Sequence, residues 1–174
     1  KGARILLHSE QGFGDSIQMA RYLPMLIGQG AELILHCRQE LVRLFSLSFP
    51  QIRVIDWKDP LPELDLHFPL MILPFVMGTT LETIPSQVPY LRAEQTDVED
   101  WSRRLEAFDG KIKAGLCWAG RPTHKSDRHR SIASDVLGPL ANVPNVAWIS
   151  LQKNGSSSFA TDWTADLQDF ARRA

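Results

Sequence analysis

Two stretches of this 174-residue sequence each gather chemically able side chains within a short span. In the first, Ser9-Glu10-Gln11-Gly12-Phe13-Gly14-Asp15-Ser16 follows the apolar run Arg4-Ile5-Leu6-Leu7-His8. A carboxylate at a helix start, just beyond a strand and two glycines, can take a proton from a substrate or simply bond first-turn N–H groups. Gly12 and Gly14 carry no Cβ, which opens positive φ and close approach of another group to both. Asp15 or Ser16 is predicted as the helix N-cap, and Ile17, Ala20, Arg21, Leu23 and Met25 continue a partly apolar helix. Its unpaired N–H groups favour an anion or a reacting oxygen. Only G-x-G is present, without the third glycine of the dinucleotide fingerprint. On the residues alone Asp15 is a base or a cap, and both readings stay open.

The second stretch is Arg121-Pro122-Thr123-His124-Lys125-Ser126-Asp127-Arg128-His129-Arg130-Ser131, with four permanent cations and two histidines. It follows a strand predicted over 112–118. Ligands of parallel α/β sheets sit outside the carboxyl ends of the strands, and guanidinium forks with a lysine point charge suit phosphate. A charged loop that only faces solvent is the competing reading. His124 and His129 lack the cysteine partners or helical spacing of a zinc site, so no metal is expected. Cys37 and Cys117 match no ligand or redox motif and are predicted as buried packing residues.

The elements that must position these residues alternate. Apolar runs predict strands over 4–8, 31–37, 52–57 and 65–71, with a helix over 39–47 between the second and third. Gly28 and Gly30 stop the first helix, and Pro24 kinks it or begins a second segment. Prolines 74, 85 and 89 and Gly78 break the chain up to Leu91. Val98, Trp101, Leu105 and Phe108 share one face of a helix predicted over 97–108, closed by Asp109-Gly110. Beyond the strand over 112–118 follow a helix over 134–140, a strand over 146–151 and a helix over 166–174. The alternation predicts an α/β fold with a parallel sheet. Its domains are 1–93, a connecting helix in 94–110, and the opening βαβ of a further unit in 111–174.

Composition narrows the function classes. At 44% hydrophobic and 22% charged residues the chain reads as a globular protein with a full core. No apolar stretch approaches a membrane span and nothing at Lys1-Gly2-Ala3-Arg4 opens a signal peptide, so a cytoplasmic setting is expected. Residues 1–110 hold 10 basic and 15 acidic side chains, whereas 111–174 hold 9 and 5. The local positive excess suits an anionic ligand near the second part and is too modest for nucleic acid.

The run from Leu6 to Pro24, Gly78-Thr79-Thr80-Leu81-Glu82-Thr83-Ile84-Pro85, Pro89-Tyr90-Leu91 and Gly115-Leu116-Cys117-Trp118-Ala119-Gly120 together resemble the glycosyltransferase-like region that follows tetratricopeptide repeats in many bacterial proteins. More distantly, that region is similar to the ADP-heptose heptosyltransferases. The resemblance implies a GT-B architecture of two Rossmann-like domains, with the acceptor mainly on the first and a nucleotide sugar mainly on the second. Gly14-Asp15 matches the motif that supplies the catalytic base. Glu10, Gln11, Gly12 and Gly14 form the acceptor-side loop, and donor phosphates fall to Lys125, Arg128 and Arg130. No Asp-x-Asp pair is present, so the implied transfer is metal-independent and inverting, needs no cofactor and takes the nucleotide sugar as substrate.

Measured against that family, the second domain reads as truncated and upstream repeats are absent. The 174-residue chain alone is therefore expected to be inactive and to self-associate through the incomplete second domain. A non-catalytic binding or scaffold module of a repeat protein is the alternative function.

Overall fold

The computed structural model describes residues 2–153 and 155–167. Residues 2–94 form one compact unit and 95–167 a second.

In the first unit, β1 (Arg4–His8), β2 (Glu32–Cys37), β3 (Arg53–Asp56) and β4 (Leu66–Pro69) make a wholly parallel sheet in the order β3-β2-β1-β4. Parallel strands bury both faces, which is why β1 and β2 read as almost unbroken apolar runs. Leu7, Leu33, Leu35 and Cys37 point to one face, into a core shared with α1 (Phe13–Met19), α2 (Leu23–Ile27) and α3 (Gln39–Ser48). From α3, Leu41, Leu44 and Phe45 fill that core at helical spacing. Leu6, Ile34 and Ile55 point to the opposite face and form a second cluster with Leu64 against it.

Pro24 lies in the first turn of α2, where its missing N–H breaks no bond. Gly30, at φ +76°, then turns the chain into β2. The strand predicted to run to residue 71 stops at Pro69, which has no N–H for a ladder. A 3-10 turn, Leu70–Ile72, leads from it into the short α4 (Leu73–Val76).

The second unit holds α5 (Gln95–Leu105) and a parallel sheet of β5 (Ile112–Leu116), β6 (Val146–Ser150) and β7 (Thr161–Asp162), in the order β5-β6-β7. β7 is a strand the apolar pattern does not predict. The segment predicted as a helix over 134–140 is a 3-10 stretch, Ser134–Asn142, because Pro139 interrupts any α ladder. Trp101 of α5 and Phe108 pack against Trp163, at 5.8 and 5.7 Å between ring centres. Arg104 stacks on Trp101 and bonds Asp166, so residues beyond β7 clasp α5. Of the helix predicted over 166–174, Asp166 ends a 3-10 turn (Thr164–Asp166) and 168–174 lie outside the described residues.

Cys37 is buried as expected, whereas Cys117 is exposed. Cys117 stands one residue past β5, a strand that itself has exposed Ile112, Lys113 and Gly115, whereas Cys37 ends a strand packed into the first core. Among the described residues no helix is long and apolar enough to cross a membrane.

Candidate functional site

Strand order reverses between β1 and β4, so the crevice outside their carboxyl ends is the switch point where ligands of such sheets bind. The loop of residues 9–12 leaves β1 there. Glu10 Oε1 accepts the Met71 N–H at 3.3 Å, tying this loop to the turn after β4. Ser9 N donates to His36 O at 3.0 Å, fixing the loop to β2 on the other side.

Neither Gly12 nor Gly14 uses positive φ. Gly12 itself is the N-cap of α1, extended at φ −70° and ψ 172°, and corrects the expectation that Asp15 or Ser16 fills that place. Asp15 is the third helical residue, and its Oδ2 folds back to accept the Gly12 N–H at 3.0 Å. A Cβ on Gly12 would lie 3.2 Å from that oxygen, a tight approach that the carboxylate would meet by giving a few tenths of an ångström. Among the described residues the other Asp15 oxygen has no hydrogen bond, which leaves it able to accept a proton from a substrate hydroxyl. Gly12 and Asp15 are thus drawn together, Glu10 turns instead to Met71, and Glu10, Gln11, Gly12 and Gly14 are all exposed.

Histidines line the same edge. His8 ends β1 opposite His36 of β2, and its ring lies 5.8 Å from His67 of β4. Burial lowers the His8 pKa from its ordinary value; Glu10 opposes this, and His67 and His36 add to it. The folded chain therefore holds fewer protons than the unfolded chain just below the ordinary histidine pKa of about 6.5. Stability should fall as pH drops through that value and level off below the depressed folded one. Urea midpoints between pH 5 and 7.5 should show this slope, and His8→Gln should flatten it; an unchanged slope in that variant would place the titration elsewhere. Burial and nearby Asp56 push the Cys37 thiol up to about 12, which makes it inert.

Two residues that sequence reasoning passed over stand one and two positions beyond strand ends. Arg38 follows β2, and its guanidinium lies 4.5 Å from the Trp57 ring centre and 5.5 Å from that of Phe13. Gln152, 6% exposed, lies just past β6. Its Oε1 accepts the N–H groups of Trp118 and Ala119 at 3.1 and 2.8 Å and faces Cys117 Sγ at 3.5 Å. The only advance signal for either was its place after a strand, where ligand-facing residues of α/β sheets concentrate.

Gln152 holds the base of the basic loop. Ile132 N donates to Trp118 O at 2.9 Å, Gly120 N to Ser131 Oγ at 2.9 Å, and Ser131 Oγ to Asp127 Oδ1 at 2.6 Å. The single carboxylate of the loop is thereby used to pin its own base. Lys125, Arg128 and Arg130 are exposed beyond it with Arg121, and among the described residues none of the four has an ion pair. Arg128 Nε instead donates to His129 Nε2 at 3.0 Å. These cations belong to the second unit and Asp15 to the first. Among the described residues no group of three or more His, Cys, Asp or Glu is placed to hold a metal.

No protein-family model matches the chain. It is 23% identical over 170 residues to Protein FlbA of Caulobacter vibrioides, in a match covering 87% of this chain and 28% of FlbA. Among solved structures it is similar to the bacterial iron-containing dodecameric glycosyltransferase TibC from enterotoxigenic E. coli H10407, with a TM-score of 0.58 at 10% identity. A second TibC structure, a heptosyltransferase in complex with ADP-D-beta-D-heptose, gives a TM-score of 0.54 at 12% identity. Each covers 94% of this chain and 48% of TibC. The chain spans about half of TibC and under a third of FlbA. The likeness to TibC establishes a glycosyltransferase-like, Rossmann-type α/β fold.

Proposed function

We propose that this chain is the acceptor-side unit and part of the donor-side unit of a GT-B glycosyltransferase that takes a nucleotide sugar and inverts its anomeric centre without a metal. The observation that carries the reading is Asp15, held by one oxygen at the switch point of a sheet whose fold is that of a glycosyltransferase. The free oxygen of Asp15 takes the proton of an acceptor hydroxyl as that hydroxyl oxygen attacks the anomeric carbon. The bond from that carbon to the diphosphate breaks, its electron pair leaves with the nucleotide, and Lys125, Arg128 and Arg130 neutralise the departing charge. In the whole protein this unit follows tetratricopeptide repeats in the cytoplasm, and copies associate through the second unit.

The ADP-heptose bound by TibC makes ADP the probe of choice. Replacing Lys125, Arg128 and Arg130 together by Gln should weaken ADP at least ten-fold, since a charge-assisted hydrogen bond is worth about 1.5–3 kcal/mol. The loss should shrink as salt rises. All three are exposed, so the circular dichroism of the variant should match the parent. Equal ADP affinity in calorimetry would remove the phosphate role from this loop.

A second reading, a non-catalytic binding module, is favoured by one observation: the bond from Gly12 N gives Asp15 a complete structural task as a cap.

A further inference from the structure

The carboxyl edge of the first sheet carries a cation placed to bind rather than to pair. Arg38 and Trp57 stand side by side because the β2–β3 register, Ile55 opposite His36 and Asp56 opposite Cys37, continues one step beyond both strands. Trp57 N donates to Cys37 O at 2.9 Å and holds the main chain of Trp57 beside Arg38. Arg38 keeps an extended backbone at φ −66° and ψ 146° as the N-cap of α3, and its guanidinium reaches Phe13, the first helical residue after the Gly12 cap. Its guanidinium is stacked by Trp57 and Phe13, both within the range of a cation–π contact.

Stacking occupies the flat faces of a guanidinium and leaves its rim of five N–H donors. Arg4 and Arg43 pair with Glu63 and Glu94, whereas Arg38 pairs with no carboxylate among the described residues. Nearby, the buried Nε2 of His36 has no hydrogen-bond partner among the described residues. That nitrogen is closed to solvent, so it is the rim of Arg38 and not His36 that an anion can reach. A guanidinium fork without an ion pair at the carboxyl edge of an α/β sheet suits the two oxygens of one planar or tetrahedral anion.

We propose that Arg38, set against Trp57 and Phe13, binds an oxyanion carried by the acceptor, a carboxylate or a phosphate ester, and so selects acidic acceptors. The inference rests on the acceptor-side role given above to the first unit. It adds a substrate class to that role, and a residue whose task is to recognise and orient.

The test uses the full chain with isotope-labelled arginine and tryptophan side chains, titrated with glucuronic acid, glucose 6-phosphate, neutral glucose and ADP. Both anions, or one of them, should shift the Arg38 Nε–H and Trp57 indole N–H signals, and glucose should not. A response to glucuronic acid alone assigns a carboxylate acceptor; a response to glucose 6-phosphate alone assigns a phosphorylated one. Arg38→Gln should weaken the anion at least ten-fold. Arg38→Lys, which keeps charge and stem but loses the fork, should weaken it several-fold with an unaltered melting temperature, and ADP affinity should stay the same in both.

No anion response at Arg38, or undiminished anion binding in Arg38→Gln, overturns the inference. Loss of ADP binding in either variant also overturns it, by assigning the cation to the donor. ADP binding without an anion response leaves the glycosyltransferase reading standing alone, whereas an anion response in a chain that ignores ADP keeps the anion subsite and takes the donor-phosphate role from the basic loop.

Discussion

Asp15→Asn in the whole protein should lower glycosyl transfer by about 10²–10⁴-fold, the range expected when a general base is lost. The substitution is selective because of how the carboxylate is held. Asp15 Oδ2 accepts the Gly12 N–H, a bond that the carbonyl oxygen of Asn can also accept, so the start of α1 should survive unchanged. The amide, however, cannot take up a proton at neutral pH. The loss should therefore fall on kcat with little change in the acceptor KM and none in melting temperature. Asp15→Ala should lose the same rate and also about 1 kcal/mol of helix-start stability. Transfer at the parental rate in Asp15→Asn would leave Asp15 as a cap and favour the binding-module reading.

Gln152→Leu should produce the largest loss of stability among single changes outside the first unit. Leu fills a similar volume but offers no acceptor, so the Trp118 and Ala119 N–H groups are stranded in a place where Gln152 is only 6% exposed. At about 1–3 kcal/mol for each unpaired group, discounted because Ala119 is only partly buried, the cost is about 2–4 kcal/mol. Two units need not unfold together, so amide hydrogen exchange reads the effect better than a single melting curve. Protection of amides in β5 and at the base of the basic loop should fall by about 30- to 1,000-fold, at 1.4 kcal/mol per decade. Protection in β1 and β2 should not change. Gln152→Glu keeps an acceptor oxygen and should recover part of the loss. ADP affinity should fall in Gln152→Leu as well, since residues 117–119 lead directly into the cations. Parental exchange rates at Trp118 and Ala119 would show that Gln152 does not secure the loop.

The elements most legible in the sequence are those whose own residues determine them. β1, β2 and α3 follow from apolar runs and a helical stripe, and the turn between α2 and β2 follows from Gly28 and Gly30. β7 was hidden because Thr161 and Asp162 carry no apolar pattern and become a strand only by pairing with Ile149 and Ser150. Cys37 and Cys117 look alike locally, and what separates them is that β2 is packed into a core while β5 is largely exposed. At the candidate site, the Gly12-x-x-Asp15 corner was visible as a strand followed by glycine and a carboxylate. Which residue caps could not be read, because it depends on a ψ angle at Gly12 rather than on residue type. Arg38 and Gln152 were invisible for a different reason. Their tasks are set by Phe13 and Trp57 in one case and by the amides of Trp118 and Ala119 in the other, partners 19 or more residues away in sequence.

The clasp of α5 by Trp163 and Asp166 also sets the timing of the second unit's birth. Arg104 and Asp166 are 62 residues apart, so the contact that completes this unit is also among its most non-local. The entropy of closing such a span must be met before any aromatic contact returns it. At ribosomal speeds of about 5–20 residues per second, Trp101 is made about 3–13 s before Asp166. Through that interval Trp101 and Phe108 lack the Trp163 ring that later covers them. α5 thus waits with an aromatic face bare, and its nascent form is the point in synthesis at which this chain is most open to trapping by a wrong partner.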